Sequence, residues 1–293
     1  MNITFEHKLF DNRKRNTSEF LEISKVLRQD IIKSLTLAAS GHSGGPLGIS
    51  DIIAVLYFGG YMKYHSDDWQ WAGRDRFLFS GGHMVPVQYS ALARAGFFPV
   101  EELATLRKFG SRLQGHPGYV DRLPGIESST GSLGHGISIA VGMAISDLLV
   151  DKNRRKVFCV VGDGELEEGS CWEAAMAASH HKLHNLCVII DNNDCQIDGR
   201  VKDVMSVYPL NEKFSAFGFE VIEIDGNDYS QIISAFDKFE QNQTNGINKP
   251  MAIVAKTIMG KCVSFMEDDY HWHGNPPKPE QAIKALEDLD KIC

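Results

Sequence analysis

Short runs of β-branched and aromatic residues recur along this chain, and each ends in glycine or a polar residue. They are RFLFSGG, KVFCVVGDG, NLCVIIDNND, EVIEIDG and MAIVAKT, beginning at residues 76, 156, 185, 220 and 251. Such runs are typical of buried strands, and helical stretches separate most of them. The alternation predicts an α/β fold with a parallel, twisted sheet and helices on both faces. In such a fold, ligands bind at the carboxyl ends of the strands.

The same pattern predicts several helices and the domain boundaries. Apolar residues at steps of three and four between residues 20 and 35 indicate an amphipathic helix, which stops before the glycine-rich stretch SGHSGGPLG at 40–48. A second helix is expected over DIIAVLYFGGYM, 51–62, and a last short one over PEQAIKALEDLDKI, 279–292. The polar segment 1–16 is predicted to be a flexible arm, or a strap on a partner, that precedes one large domain.

The composition of the chain limits which partners it could bind and in which cell compartment it is expected. The chain has 30 Lys and Arg against 38 Asp and Glu, a net charge of −8, which argues against nucleic acid or an anionic membrane as the main partner. The six cysteines include no CxxC pair and are expected to be buried free thiols, as in a reducing cytosol. The N-terminus lacks the apolar core of a signal peptide, and no apolar run reaches the roughly 18 residues of a membrane span. We therefore expect a cytoplasmic protein.

Two buried strands with a helix between them place polar residues at one edge of the sheet. The first strand ends in Gly162-Asp163-Gly164, and the second ends in an Asp-Asn-Asn sequence whose last residue is Asn193. A parallel crossover brings the Asp163 carboxylate and the Asn193 amide to the same edge. Oxygen ligands of this kind suit Mg²⁺, and the flanking glycines would let a diphosphate approach the backbone. By itself, the tripeptide is also explained by a tight turn.

Strand, GDG, helix, strand and NN together resemble the cofactor signature of thiamine diphosphate enzymes. The resemblance implies that Asp163 and Asn193 bind the metal, Mg²⁺ or Ca²⁺, that holds the diphosphate. A main-chain carbonyl two residues after the asparagine, that of Cys195, would complete the ligands from the protein. It also implies that Gly162 and Gly164 contact the cofactor.

Four histidines stand beside glycine at the ends of predicted elements: His42, His83, His116 and His273. Each by itself could be a turn residue or a hydrogen-bonded polar side chain. Their segments look like those of transketolase, and this resemblance implies that all four are catalytic. His42 and His116 would face the substrate, whereas His83 and His273 would reach the diphosphate and the reacting carbons. An ordinary histidine pKa of about 6.5 would suit proton transfer near neutral pH.

The stretch STGSLGHGISIAVGMAISDLL, 129–149, opens a predicted helix whose free N–H groups and partial positive charge could bind an anion. Packing explains its glycines equally well. By resemblance, Gly131, Ser132 and Leu133 contact the cofactor, with Leu133 packed against the aminopyrimidine. Nothing in the sequence explains His135, where the family commonly has glutamine.

Acidic residues follow GDG at the predicted start of a helix, where the helix dipole favours them in any case. By resemblance, Glu165 belongs to the cofactor-binding residues, and Glu168 lies near a subunit interface and couples to the cofactor. The sequence HHKLH at 180–184 could suggest a metal site, since His180 and His184 are four apart on a predicted helix. It lacks the glutamate of HExxH, which favours a solvated helix end.

The resemblance to the transketolase family spans about residues 20–275, and it assigns 17–293 to the diphosphate-binding domain type. The family builds its active site between this domain and a second type, which holds the aminopyrimidine and supplies a glutamate. The chain ends where the second type would begin, so it looks like the N-terminal subunit of a split transketolase. The expected partner is a separate C-terminal subunit, in an α2β2 assembly.

The implied reaction transfers a two-carbon ketol unit from a ketose, expected to be phosphorylated, to an aldose. One alternative is the α subunit of a 2-oxoacid dehydrogenase, which shares the GDG pattern but has a substrate without a polyol chain for the histidines to contact. The other is a non-catalytic relative that kept the cofactor pocket. The sequence does not name the sugar.

Overall fold

The computed structural model describes residues 3–120, 122–152 and 155–292, and a parallel sheet forms its centre. The strands are β1 (Arg76–Phe79), β2 (Val157–Gly162), β3 (Leu186–Asn192), β4 (Cys195–Gln196), β5 (Gly199–Arg200), β6 (Glu220–Asp225) and β7 (Met251–Lys256). Five of them form one sheet in the order β1-β2-β3-β7-β6, and each neighbouring pair is parallel. The strands β4 and β5 form a small antiparallel hairpin directly after β3. All carboxyl ends of the main sheet therefore lie at one edge.

Helices cover both faces of this sheet. They are α1 (Thr17–Ala38), α2 (Gly44–Phe58), α3 (Val85–Arg94), α4 (His135–Ile145), α5 (Gly169–His180), α6 (Val201–Val204), α7 (Leu210–Ala216), α8 (Tyr229–Thr244) and α9 (Pro279–Ile292). One hydrophobic core joins the sheet to α1, α2, α3, α8 and α9, and a second joins the opposite face to α4, α5 and α7. The predicted α/β fold class is confirmed.

Alternation along β2 explains why its sequence is apolar at nearly every position. Val157, Cys159 and Val161 belong to the core beneath α4, α5 and α7. Phe158 and Val160 belong to the core on the other face. Successive side chains of a strand point to opposite faces, so a strand buried on both faces has no place for a polar side chain until it ends.

The second helix differs from its predicted bounds. It begins at Gly44, inside the glycine-rich stretch, and ends at Phe58 rather than running from 51 to 62. A Cβ atom on Gly44 would lie 2.5 Å from Met259 Cγ, and one on Gly48 would lie 2.8 Å from the Ile258 carbonyl oxygen. The glycines thus let the start of α2 pass directly under the segment after β7. The local glycine content favours a loop here, whereas in the fold these residues form the closely packed first turns of a helix.

The segment predicted to be a flexible arm contains neither helix nor strand over its described part, residues 3–16. It is held against the domain by hydrogen bonds. The Arg94 guanidinium, paired with Asp30 in the core, donates to the main-chain carbonyls of Glu6 and Lys8. The Asn12 side chain donates to the Met62 carbonyl. These contacts lay the segment on its own domain, and its mobility stays a prediction.

The cysteine prediction is confirmed at four positions, since Cys159, Cys171, Cys187 and Cys195 are buried free thiols. It is wrong at Cys262, which is disulfide-bonded, and Cys293 lies outside the described residues. No helix in the described part of the chain is both long and apolar enough to cross a membrane.

Candidate active site

A cavity of about 370 Å³ opens at the carboxyl edge of the sheet. It lies where β1, β2 and β3 end and is closed from one side by the start of α2. Most of the residues predicted to act in the site line it: His42, His83, His116, Gly131, Leu133, Gly162, Asp163, Gly164, Glu165, Asn193, Cys195 and His273. Segments up to 231 positions apart in the sequence therefore meet at the sheet edge, as the strand pattern predicted.

Asp163 and Asn193 approach each other across the parallel pair β2–β3. Gly162 is paired with Asp191, and the Asp163 N–H donates to the Asp191 carbonyl at 3.2 Å. The Asp163 carboxylate in turn accepts the main-chain N–H of Asp194 at 2.6 Å, beside Asn193. The carboxylate and the amide thus line the same end of the cavity.

Three residues that the sequence analysis did not select form hydrogen bonds around these candidate ligands. Asp191 is buried and accepts hydrogen bonds from the Asn193 amide at 2.9 Å and from the Thr257 hydroxyl. The Tyr208 hydroxyl lies 3.2 Å from the Asp163 carboxylate and 2.9 Å from the Asn192 side-chain oxygen. A buried aspartate at the end of an apolar strand is a signal in the sequence, but nothing local links Tyr208 or Thr257 to the site.

Carboxylates dominate the cavity charge. Asp163, Glu165, Asp191 and Asp198 line it, whereas none of the lining residues in the described part of the chain is Lys or Arg. Burial, with the neighbouring Asp191 charge, raises the pKa of Asp163 to about 7. Burial raises the pKa of Asp191 to about 6. An anionic ligand such as a diphosphate would be repelled here unless a cation came with it.

The donor set fits a hard divalent cation shared with that ligand. No group of three His, Cys, Asp or Glu side chains in the described ranges could hold a metal by itself. One carboxylate, one amide and one main-chain carbonyl, from Asp163, Asn193 and Cys195, would supply a partial set. Mg²⁺ commonly takes only one or two protein side chains and completes its octahedron with phosphate oxygens and water. The residues therefore fit a metal that is bound together with a diphosphate.

The four predicted histidines form one cluster in the same cavity. The ring centroid of His42 lies 5.1 Å from His83, 6.2 Å from His116 and 5.8 Å from His273. His83 and His273 are 5.0 Å apart. The Nδ1 atoms of His42 and His273 are buried and have no hydrogen-bond partner among the described residues. Buried polar atoms are usually satisfied, so these two atoms are suited to a bound ligand.

The pKa values of these histidines are not the ordinary ones expected from the sequence. Burial, followed by the charges of His273, Arg107 and His116, lowers the pKa of His42 to about 4. Burial also lowers the pKa of the other three. The cluster is therefore neutral at pH 7 and can accept protons or donate a neutral N–H. The assumption of an unperturbed pKa was wrong because the rings are desolvated together.

Three N–H groups around the start of α4, where the sequence suggested a free anion site, already have acceptors within the protein. The Gly134 N–H donates to the Glu165 carboxylate at 2.8 Å, and the Ile137 N–H donates to the Ser80 hydroxyl at 3.2 Å. The His135 N–H donates to the Ser132 carbonyl at 3.2 Å. Helix N–H groups that already have protein acceptors are not available to a phosphate. For these N–H groups, contacts within the protein are sufficient, as in the alternative that explains the glycines of this stretch by packing.

Some predicted residues lie outside the cavity. Ser132 and Glu168 are exposed and do not line it, and Leu133 is 38% exposed at its rim. His135 is exposed at the first position of α4, and nothing in the structure explains its departure from the family pattern. The helix α5 ends at His180, so His180 and His184 do not share a helix. The prediction of one helix through both was therefore wrong.

Comparison with known proteins gives one family. Residues 17–289 match the family described as transketolase, thiamine diphosphate binding domain. An apulose-4-phosphate transketolase subunit from Phocaeicola vulgatus is 39% identical over 274 residues, which cover 93% of this chain and 95% of that protein. The 6-deoxy-6-sulfo-D-fructose transketolase subunit of a Clostridium species is 38% identical, over 92% of this chain and 95% of its own length.

Comparison with solved structures gives the same family. The transketolase of Campylobacter jejuni superposes with a TM-score of 0.86 at 34% identity and covers 94% of this chain, but this chain spans only 43% of that protein. The chain belongs to the transketolase family and forms its thiamine diphosphate-binding domain. The family and the domain type predicted from the sequence are confirmed, and similarity to relatives that are themselves separate subunits agrees with a split enzyme.

We expect Asp163 to make the stability of the cofactor-free protein depend on pH. Its pKa is raised from 3.8 to about 7, so the native state binds the proton more tightly than the unfolded state does. This contribution to stability is complete below the unfolded pKa and is lost as the pH rises through about 7. We expect the denaturant midpoint to fall between about pH 5 and pH 8 by more in the wild type than in Asp163→Asn.

Asp191 titrates in the same range, so part of the slope should remain in Asp163→Asn. The exposed Asp203→Asn variant is the matched control and should follow the wild type. Equal slopes for the wild type and Asp163→Asn would contradict the assignment.

Proposed function

We propose that this chain is the N-terminal, diphosphate-binding subunit of a two-subunit transketolase. The enzyme would transfer a two-carbon ketol unit from a ketose to an aldose, with thiamine diphosphate and Mg²⁺ as cofactors. One observation carries the proposal: a partial oxygen ligand set and four neutral imidazoles line the same cavity. A phosphate-binding protein needs only the first, whereas chemistry on a polyhydroxylated substrate needs both.

Two glycines bring the loops that border the cavity close together. Gly131 has φ of 140°, and a Cβ atom on it would lie 2.8 Å from the His116 ring. A Cβ atom on Gly82 would lie 2.7 Å from the Thr130 carbonyl oxygen. Glycine at both positions lets the loops after β1 and before α4 meet at the edge of the cavity. We propose that Asp163, Asn193 and the Cys195 carbonyl hold Mg²⁺, with Ca²⁺ as an alternative.

Thiamine diphosphate, when bound, supplies the nucleophilic carbon and the electron sink for breaking a carbon–carbon bond. The protein then has to position groups and move protons. His42 and His116 are neutral at pH 7 and could each take a proton from a sugar hydroxyl or donate an N–H to a sugar oxygen. His273, which hydrogen-bonds the main chain of Cys195, would stand with His83 next to the diphosphate.

The names of two relatives suggest the class of donor. One acts on apulose 4-phosphate and the other on a 6-deoxy-6-sulfo-D-fructose, both ketoses with an anionic group. We propose that the donor here is likewise a ketose that carries a phosphate or another anionic group.

A second subunit is required by this proposal, and α4 offers a surface for it. The helix has no Asp, Glu, Lys or Arg, yet Ser138 and Gly142 are exposed, and Met176 of the adjoining α5 is 53% exposed. Lack of charge on an exposed face is typical of the centre of a protein interface. We propose that the C-terminal, pyrimidine-binding subunit covers this face in an α2β2 assembly. A cytoplasmic location stays a prediction.

The function is tested by copurifying the chain with its partner and assaying donors. We expect ketol transfer from a ketose phosphate, dependent on thiamine diphosphate and Mg²⁺, and none from a 2-oxoacid. Turnover of a 2-oxoacid would favour the dehydrogenase alternative, whereas cofactor binding without turnover of any donor would favour a non-catalytic relative.

Asp163→Ala should abolish metal-dependent cofactor binding in calorimetry, because the carboxylate is the charged ligand.

His116→Ala should separate chemistry from cofactor binding. We expect cofactor affinity in the complex to be retained and turnover to fall about 10²- to 10⁴-fold, the usual range for a lost general acid–base group. Steady-state rates and calorimetry on the same preparation measure both. The exposed His181→Ala serves as the control, and an unchanged rate in His116→Ala would remove this residue from the mechanism.

Gly142→Arg tests the proposed partner surface. A Cβ atom at Gly142 meets nothing within 4 Å, so the substitution should leave this chain folded. We expect it to prevent copurification with the C-terminal subunit, because it places a charge in the apolar contact. Ser234→Arg, exposed on α8 across the sheet, should copurify normally. Normal assembly of Gly142→Arg would place the partner elsewhere.

A further inference from the structure

One buried carboxylate joins three of the segments that carry the site. The Glu165 side chain, 3% exposed, accepts the Ser80 hydroxyl at the end of β1 and the Gly134 N–H at the start of α4. Its other oxygen accepts the Gly162 N–H at the end of β2, at 3.2 Å. Each of these groups lies within three residues of a residue that lines the cavity: His83, Leu133 and Asp163.

Ser80 extends this connection into α4. Its hydroxyl donates to Glu165 and accepts the Ile137 N–H at 3.2 Å. The Glu165 carboxylate therefore binds the start of α4 twice, directly through the Gly134 N–H and through Ser80 to the Ile137 N–H. The helix lies directly on the strand end, since a Cβ atom on Gly136 would come 2.4 Å from Ser80 Cα. A negative charge at a helix N-terminus is also favoured by the helix dipole.

This geometry leaves Glu165 no direct role as a cofactor ligand. Both of its oxygens accept from protein donors, although the residue lines the cavity. A carboxylate beside a diphosphate would repel it, and saturation of this carboxylate with donors reduces that cost. The cofactor-binding role expected for Glu165 from the resemblance must therefore be indirect.

We propose that Glu165 is a positioning residue, which fixes the loop after β1, the start of α4 and the metal-binding turn after β2 relative to one another. The inference rests on the proposed cofactor function of the same site. Without the carboxylate, the three segments share no common acceptor, and the spacing between His83, Leu133 and Asp163 loosens. Cofactor affinity should then fall although no cofactor contact has been removed.

Glu165→Gln tests this with little change of shape. The uncharged amide oxygen accepts more weakly than a carboxylate from Ser80 and Gly134, and the amide nitrogen cannot accept the Gly162 N–H. We expect the dissociation constant for thiamine diphosphate with Mg²⁺ to rise about 10- to 100-fold in the assembled enzyme, as for outer residues that orient metal ligands. The matched control is Glu173→Gln, an exposed glutamate on α5, which should bind as the wild type does.

A second measurement does not depend on the cofactor. Hydrogen exchange of the full chain, without cofactor, should be faster across residues 131–140 in Glu165→Gln and unchanged in Glu173→Gln. Ser80→Ala should produce the same two effects. In the double variant, cofactor binding should weaken by less than the sum of the two single effects, because both substitutions act on the contact between Ser80 and Glu165.

The outcomes separate the inference from the proposed function. Weaker cofactor binding with faster local exchange supports the inference. A lower yield of folded protein with an unchanged dissociation constant indicates a role in folding alone and overturns the inference. Unchanged cofactor binding together with unchanged hydrogen exchange also overturns it. If the wild-type enzyme itself binds no thiamine diphosphate, the proposed function fails, and the inference falls with it.

Discussion

The parallel pairing of β2 with β3 is the constraint on which the site depends. It sets Gly162 opposite Asp191, so the next residues of both strands leave the sheet together. A shift of one residue in this pairing would turn one of the two candidate ligands to the other face of the sheet. The register is fixed because both faces of these strands are buried, and each apolar side chain has only one face on which it fits.

Desolvation then shifts the pKa values of the acidic and the basic groups of the cavity in opposite directions. It raises the pKa of the buried carboxylates Asp163 and Asp191, so their charge is costly until a cation neutralises it. It lowers the pKa of the clustered imidazoles, which keeps them neutral at pH 7. The same burial therefore prepares a charged binding site and an uncharged reaction site within one cavity.

Much of this arrangement could be predicted from local patterns. The apolar runs gave the strands, and the residues that follow them, Asp163 and Asn193, gave the candidate metal ligands. Glycine-flanked histidines gave the cluster, because each stands where an element ends. The predictions failed where a distant segment decides the outcome. The glycine-rich stretch packs against Met259 as the start of a helix at Gly44, and Glu165 accepts the N–H of Gly134 just before α4.

The sequence by itself determined which residues leave the strands at the reactive edge, since period-two burial and the strand ends are local properties. Only the tertiary structure decided which of their atoms are available. Hydrogen bonds from Tyr208 and Thr257, and shared desolvation of four rings, arise between segments far apart in the chain. Burial and pairing depend on every neighbour in space, and no local pattern of residues encodes them.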